Sequence, residues 1–367
     1  MPKLRVPTLV CGCNLTQRRN GTMRHFHFLL LLTLVISASG QATRSIIGDY
    51  THYQLAHAKD TIDFVVADTT LSQRKPVLLF CQGSQPVPLF IDFGKGAIVP
   101  VPLDNFDLPN MKLHYHVVVI SMPKTPVVAG IDQLNDSYCF VPDTSRPNRY
   151  SEAFLRNDRL DNYVDRANAV ITFLLHQGWV DPDGLVVAGH SQGARVAAGI
   201  ATANTQVDLL GLFGFNPLGR ITQEVWKYRL QAQQGKISWE TADSLQQQQY
   251  AFYKEVLNSD SLDKHPGYQA WRTFSTSTME DLAYLDIPVY VANGSEDYVA
   301  VNCDLLPLYF IQQGKSNLTL IRYPHLEHNF FEVGPDGKAD HSKKHWERVM
   351  NAFIQWAVDH GIGSESR

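Results

Sequence analysis

The chain has 367 residues, a length that holds one large α/β domain or two small ones. Hydrophobic residues make up 44% of it and charged residues 19%, the composition of a globular protein. A net charge of -4 with no long charge run excludes a basic face for nucleic acid, so no nucleic-acid partner is expected.

The first informative stretch is F-L-L-L-L-T-L-V-I at 28–36, an apolar core too short to span a bilayer comfortably. Arg24 precedes it, and Ser37, Ala38, Ser39 and Gly40 follow, small residues of the kind a signal peptidase accepts. Residues 1–40 therefore read as a signal peptide, with Met23 a second candidate start and 1–22 an extension or a long n-region. A single N-terminal membrane anchor is the rival reading. The mature chain, 41–367, is expected to be secreted or periplasmic with no membrane span of its own.

Cys11 and Cys13 fall in the excluded segment, which leaves Cys81, Cys139 and Cys303. Cys139 and Cys303 are the one pair without a strand-core residue, and a domain of this size needs no disulfide, so none is expected. Asn-x-Ser/Thr motifs stand at Asn14, Asn20, Asn293 and Asn317. A glycan at Asn293 would crowd the acidic residues just after it, which favours a bacterial export route that leaves it bare.

Strands are expected at 61–66, 76–81 and 116–121, where β-branched and apolar residues run between breakers. Residues 41–75 are otherwise mixed, with no clear pattern outside 61–66, and 127–158, with Pro142 and Pro147, read as a loop. A helix is expected from about 160 to 177, with Tyr163, Ala167, Ile171 and Leu174 at helical spacing. Pro182, Asp183 and Gly184 then turn the chain into a short apolar strand, 184–188.

That strand runs into Gly189-His190-Ser191-Gln192-Gly193, followed by the helix-compatible run 194–201. G-x-S-x-G between a strand and a helix is the context of a nucleophile elbow. Glycine two before and two after the serine gives the cramped turn its room. His190 reads as an elbow filler.

Another buried strand is expected at 209–215, ending at Asn216 and Pro217. Residues 221–282 then lose the strand pattern and gain aromatics, including Trp226, Trp239, Phe252, Trp271 and Phe274. They read as a helical insertion that caps the site. Strands return at 287–294 and 318–323, the latter read as the last strand, and an amphipathic helix closes the chain at about 341–360 with Trp346, Val349, Phe353 and Trp356 on one stripe.

Strands alternating with helices imply an α/β fold, a mostly parallel central sheet with helices on both faces. Such sheets bind ligands beyond the carboxyl ends of the strands. After the strand at 287–294 come Glu296 and Asp297, two candidate acids. After the strand at 318–323 come His325 and His328, two candidate bases. Nucleophile, acid and histidine follow one another in the chain order of a Ser…Asp/Glu…His triad.

With G-H-S-Q-G, I-P-V-Y-V-A-N-G-S-E-D-Y-V and H-N-F on the page, the chain from about Lys75 to Gly361 resembles the α/β-hydrolase superfamily, nearest its dienelactone-hydrolase-like and prolyl-oligopeptidase-like catalytic domains. The resemblance implies Gly294 and Asp297 for the family's Gly-x-x-Asp and His328-Asn329-Phe330 for its histidine segment, so the triad would be Ser191, Asp297 and His328. The family's His-Gly after the early strand is Gln82-Gly83 here. The oxyanion hole would use the backbone N–H groups of Gln192 and Ser84. No cofactor and no metal are implied, and the histidines lack a His-Glu-x-x-His spacing. The expected activity is cleavage of small-molecule carboxylic esters through an acyl-enzyme, with an amide- or peptide-cleaving enzyme or a non-catalytic binding protein as the alternatives. Residues 41–75 are too few for the propeller that prolyl-oligopeptidase-like peptidases generally carry, and the insertion's carboxylates, Glu224, Glu240, Asp243 and Glu255, read as solvated surface.

Overall fold

The computed structural model describes residues 42–363. The segment read as a signal peptide, with Cys11, Cys13, Asn14 and Asn20, lies outside the described residues.

Nine strands form the main sheet: β1 (Ala42–Ile47), β2 (Tyr50–His57), β3 (Asp60–Val66), β4 (Val77–Cys81), β5 (His116–Ile120), β6 (Leu185–His190), β7 (Val207–Phe213), β8 (Val289–Gly294) and β9 (Leu318–Tyr323). Their spatial order is β1-β2-β3-β5-β4-β6-β7-β8-β9. The first three are an antiparallel meander, β3 meets β5 antiparallel, and the remaining pairs are parallel. The mostly parallel sheet expected from the sequence is therefore present.

The central strands are apolar on both faces because both faces are covered. Along β6, Leu185 and Val187 join one core with Ile171 and Ala197, from the helices Leu160–Leu175 and Gln192–Ala203. Val186 and Ala188 point the other way, into a core with Met350 and Phe353 of the helix Trp346–Asp359. Gly211 of β7 leaves room for the Phe353 ring, which a Cβ there would meet at 2.6 Å.

Several elements depart from the sequence reading. β1 and β2 lie in the stretch that showed no pattern. The expected loop 127–158 holds a short strand, Val128–Gly130, and a helix, Glu152–Asn157. β9 is not the last strand: a hairpin of Phe331–Val333 with Ala339–Lys344 follows it, and the closing helix begins only at Trp346. The insertion is helical, with Arg220–Gln233, Trp239–Leu257, Tyr268–Thr273 and Met279–Tyr284 among its segments.

The strand order sets the site. From β4 the chain goes to β5 on one side, then returns to β6 on the other. Where connections part in this way, the loops after the two strands open a crevice. Ser84 follows β4 and Ser191 follows β6.

Candidate active site

Ser191 links β6 to the helix Gln192–Ala203 with φ 58° and ψ -121°, a backbone conformation that a non-glycine residue seldom adopts. The glycines on either side make this turn possible. A Cβ on Gly189 would collide with the carbonyl of Gly193, and one on Gly193 with the carbonyls of Cys81 and Gln82 at the end of β4. The elbow is thus wedged against the neighbouring strand.

The Ser191 hydroxyl lies 2.9 Å from His328 Nε2, and His328 Nδ1 lies 2.9 Å from Asp297 Oδ2. The Asp297 side chain is fully buried, and its other oxygen accepts the Val299 N–H at 2.9 Å. Burial lowers the His328 pKa, but the hydrogen bond and charge of Asp297 outweigh it, and the net shift is upward. The two rivals stand elsewhere. Glu296 is exposed and accepts a hydrogen bond from Ser295 Oγ. His325 is exposed, and its main-chain N–H bonds Ser295 Oγ.

The loop carrying His328 is fixed from three sides. Glu327 Oε1 accepts the N–H groups of Asn329 and Phe331 at 2.8 and 3.0 Å. Phe330 is fully buried against Trp346, with ring centroids 4.6 Å apart. His190 Nε2 meets the His328 carbonyl at 2.9 Å. His190, expected as an elbow filler, holds the main chain of His328.

The turn Gln82-Gly83-Ser84 lies beside the elbow: a Cβ on Gly83 would sit 3.9 Å from Ser191 Cβ. Gln82 donates its side-chain N–H to the Ile120 carbonyl at 3.2 Å, tying β4 to β5. Gln192 heads its helix, where the backbone N–H has no intrahelical acceptor.

Ser84 and Ser191 open onto a cavity of about 670 Å³. The insertion forms one wall of it with Arg220, Phe252, Tyr268, Trp271 and Phe274. Trp226 and Trp239 do not line it; both are exposed and flank Arg229 instead. Arg195, on the elbow helix, seats the insertion. Its guanidinium bonds the carbonyls of Asn216 and Pro217, where the insertion leaves the sheet, and of Thr276, where it returns.

Glu224, expected on the solvated surface, instead lines the cavity, and Asp158, Arg195 and Arg220 join it there without a motif in the sequence to mark them. Asp158 is 7% exposed, and its Oδ1 accepts hydrogen bonds from Tyr163 and from Gln192 Nε2 at 3.0 and 2.9 Å. Gln192 Oε1 accepts from Arg220. A charged residue in a connection leaving the carboxyl edge of the sheet, as Arg220 is, was the one available signal.

Asn293 is buried at 3% exposure on β8, and Asn317 donates to the Leu285 and Ile287 carbonyls, so both motifs are built into the fold. Cys81, Cys139 and Cys303 are free thiols. Among the described residues no group of three His, Cys, Asp or Glu side chains is placed to hold a metal.

No protein-family model matches the chain, and no curated protein matches it. Solved structures do. It is similar to an acylaminoacyl peptidase from Pyrococcus horikoshii at 12% identity and a TM-score of 0.52, over 87% of this chain and 42% of that one. It also matches a puromycin-hydrolysing peptidase from Mycobacterium tuberculosis at 12% identity, a TM-score of 0.49, and 89% and 40% coverage. An acetyl xylan esterase from Thermoanaerobacterium sp. matches at 12% identity, a TM-score of 0.46, and 87% and 88% coverage. The chain spans less than half the length of either peptidase. Together with the strand order, the first likeness shows the fold, an α/β-hydrolase fold.

Proposed function

We propose that the protein is a serine hydrolase that cleaves small-molecule carboxylic esters through an acyl-enzyme. One observation carries this reading: the Ser191, His328 and Asp297 side chains stand in a continuous hydrogen-bonded line at a strained elbow. Serine is a weak nucleophile until an adjacent base takes its proton. As Ser191 Oγ bonds to the acyl carbon, its proton passes to His328 Nε2. Asp297 holds the imidazole tautomer and stabilises the imidazolium. The backbone N–H groups of Gln192 and Ser84 receive the oxyanion. His328 then returns the proton to the departing alkoxide. Water repeats the sequence on the acyl-enzyme, releasing the carboxylic acid.

A fluorophosphonate probe tests this, with peptide mapping expected to place the adduct on Ser191. Ser191→Ala is expected to abolish labelling and to lower turnover by roughly 10³ or more. Labelling at another residue, undiminished in Ser191→Ala, overturns the reading.

Amide cleavage is the second reading, and Asp158 favours it, since a buried carboxylate on the cavity floor suits a substrate ammonium. Comparing kcat/KM for one acyl group as an unactivated alkyl ester and as a peptide decides between the two. Faster turnover of the peptide replaces the ester reading.

We place the activity outside the cytoplasm, after cleavage near Gly40 or Ala42. Among the described residues no helix is long and apolar enough to cross a membrane. Mass spectrometry of the N-terminus from the native host tests this, and an intact Met1 or Met23 in a cytosolic fraction overturns it.

A further inference from the structure

The cavity beside Ser191 holds charges that the ester chemistry above does not use. Arg220 and Asp158 both line it, and they meet through the Gln192 side chain: Arg220 donates to Gln192 Oε1, and Gln192 Nε2 donates to Asp158 Oδ1. Among the described residues both ends of this bridge keep polar atoms that bind nothing further, Oδ2 of Asp158 and two nitrogens of Arg220. Asp158 Oδ1 takes hydrogen bonds from both Tyr163 and Gln192. Arg220 spends one nitrogen, Nη2, on Gln192. Its guanidinium carbon lies 5.4 Å from the Trp271 ring centroid and 5.5 Å from that of Phe274, so aromatic surfaces steady it.

The charges along the cavity balance in number but not in pairing. Arg195 and Arg220 both line the cavity, against the buried carboxylate of Asp158 and Glu224 at the wall. Glu224 also answers Lys227, at 3.6 Å. Arg195 is committed to three main-chain carbonyls, which leave its positive charge without a carboxylate. A guanidinium with free donors and a steadied plane is the group that binds a planar carboxylate in bidentate fashion.

We propose that Arg220 anchors a carboxylate on the substrate, so that the preferred esters carry one negative charge on the limb that enters this cavity. The proposal rests on the hydrolase reading above. Gln192 gives it a geometric basis. Its backbone N–H is the proposed oxyanion donor and its side chain touches Arg220, so one residue joins the reacting carbonyl to the anchor.

Two matched pairs of esters test the proposal and identify the limb. The first compares para-nitrophenyl hydrogen adipate with para-nitrophenyl hexanoate. The second compares para-carboxyphenyl hexanoate with para-carbamoylphenyl hexanoate. The expected result is that the anionic member of one pair exceeds its neutral partner by about tenfold or more in kcat/KM. Arg220→Gln is expected to erase that ratio, and Arg220→Lys to keep part of it as a charge without the fork. Fluorophosphonate labelling of Ser191 in each variant reports an intact site. Should Arg220→Gln fail to fold, free adipate is expected to inhibit hydrolysis of the neutral ester competitively in the wild-type protein, and hexanamide not to. The proposal is overturned by neutral preference in both pairs, by a ratio that survives Arg220→Gln, or by preference for the ε-aminohexanoate ester, which would assign the site to Asp158 and an ammonium. Loss of the hydrolase reading looks different: Ser191 then resists labelling while adipate still raises the Tm of the wild-type protein.

Discussion

His190 Nε2 lies 2.9 Å from the main-chain oxygen of His328, with the two rings 4.9 Å apart. A carbonyl only accepts, so Nε2 carries the hydrogen. Burial, with the charge of His328 adding to it, pushes the His190 pKa down to about 3, so this ring stays neutral. A neutral donor beside Ser191 pins His328, the proposed base, without competing for its proton. His190→Ala is expected to lower kcat by about 10- to 100-fold through misplacement of His328 with little change in KM. His190→Gln keeps a donor and is expected to recover most of the loss. Equal losses in both variants would reduce His190 to packing.

The pH profile follows from His328. Burial pulls its pKa down, and the hydrogen bond and charge of Asp297 raise it further than burial lowers it. In the proposed mechanism His328 must be neutral to accept the Ser191 proton, so activity is expected to be lost as pH falls through this pKa. The acid limb of kcat/KM for the free enzyme is therefore expected above the ordinary histidine value of about 6.5. Asp297→Asn is expected to move the limb downward and to reduce kcat by about 10⁴-fold. A wild-type limb below that value contradicts the proposed role of Asp297.

The parallel strands and the order Ser, acid, His were legible because both follow local rules. Strands covered on two faces become apolar runs, and reacting residues collect after their carboxyl ends. β1 and β2 escaped because exposed Thr43, Arg44, Ser45 and Gln54 break up their apolar pattern. The Asp158–Gln192–Arg220 bridge escaped for another reason. Its members come from the chain before one helix, the head of the elbow helix and the start of the insertion, and only the sheet order brings them together. Neither residue choice nor spacing marks such a cluster in advance. His190 shows the same limit, since its partner is a main-chain oxygen 138 positions away.

The elbow glycine Gly193 is expected to tolerate no side chain. A Cβ there would overlap the carbonyls of Cys81 and Gln82, and both belong to backbone that cannot retreat without moving β4. Gly193→Ala is expected to destabilise the fold by about 3 kcal/mol or more, in the range of severe overpacking. Gly178 is the control. It is exposed, and nothing stands within 4 Å of a Cβ placed on it. Gly178→Ala is expected to stay within about 0.5 kcal/mol of wild type. Thermal melts of the two variants check this, and matching Tm values would mean that the elbow is looser than its geometry implies.

Substrate preference is expected to depend on the half-buried aromatics that line the cavity and not on the exposed ones of the insertion. Phe252 and Trp271 line the cavity and pack edge to face with centroids 5.1 Å apart. Trp271 also flanks the Arg220 guanidinium, so its removal both widens the wall and frees the cation. Trp226 and Trp239 are 38% and 51% exposed and contact Arg229 outside the cavity. Truncating Phe252 or Trp271 to Ala removes apolar surface from the space a substrate chain would fill, an effect of about 1–3 kcal/mol per lost contact group. Over a series of nitrophenyl esters of increasing chain length, Phe252→Ala and Trp271→Ala are expected to shift the optimum toward longer chains and change relative kcat/KM by about tenfold. Trp226→Ala and Trp239→Ala are expected to leave the profile in place. A profile that moves with the exposed pair and ignores the cavity-lining pair would put the acyl chain outside this cavity and overturn the proposed role of the insertion as the cap that shapes specificity.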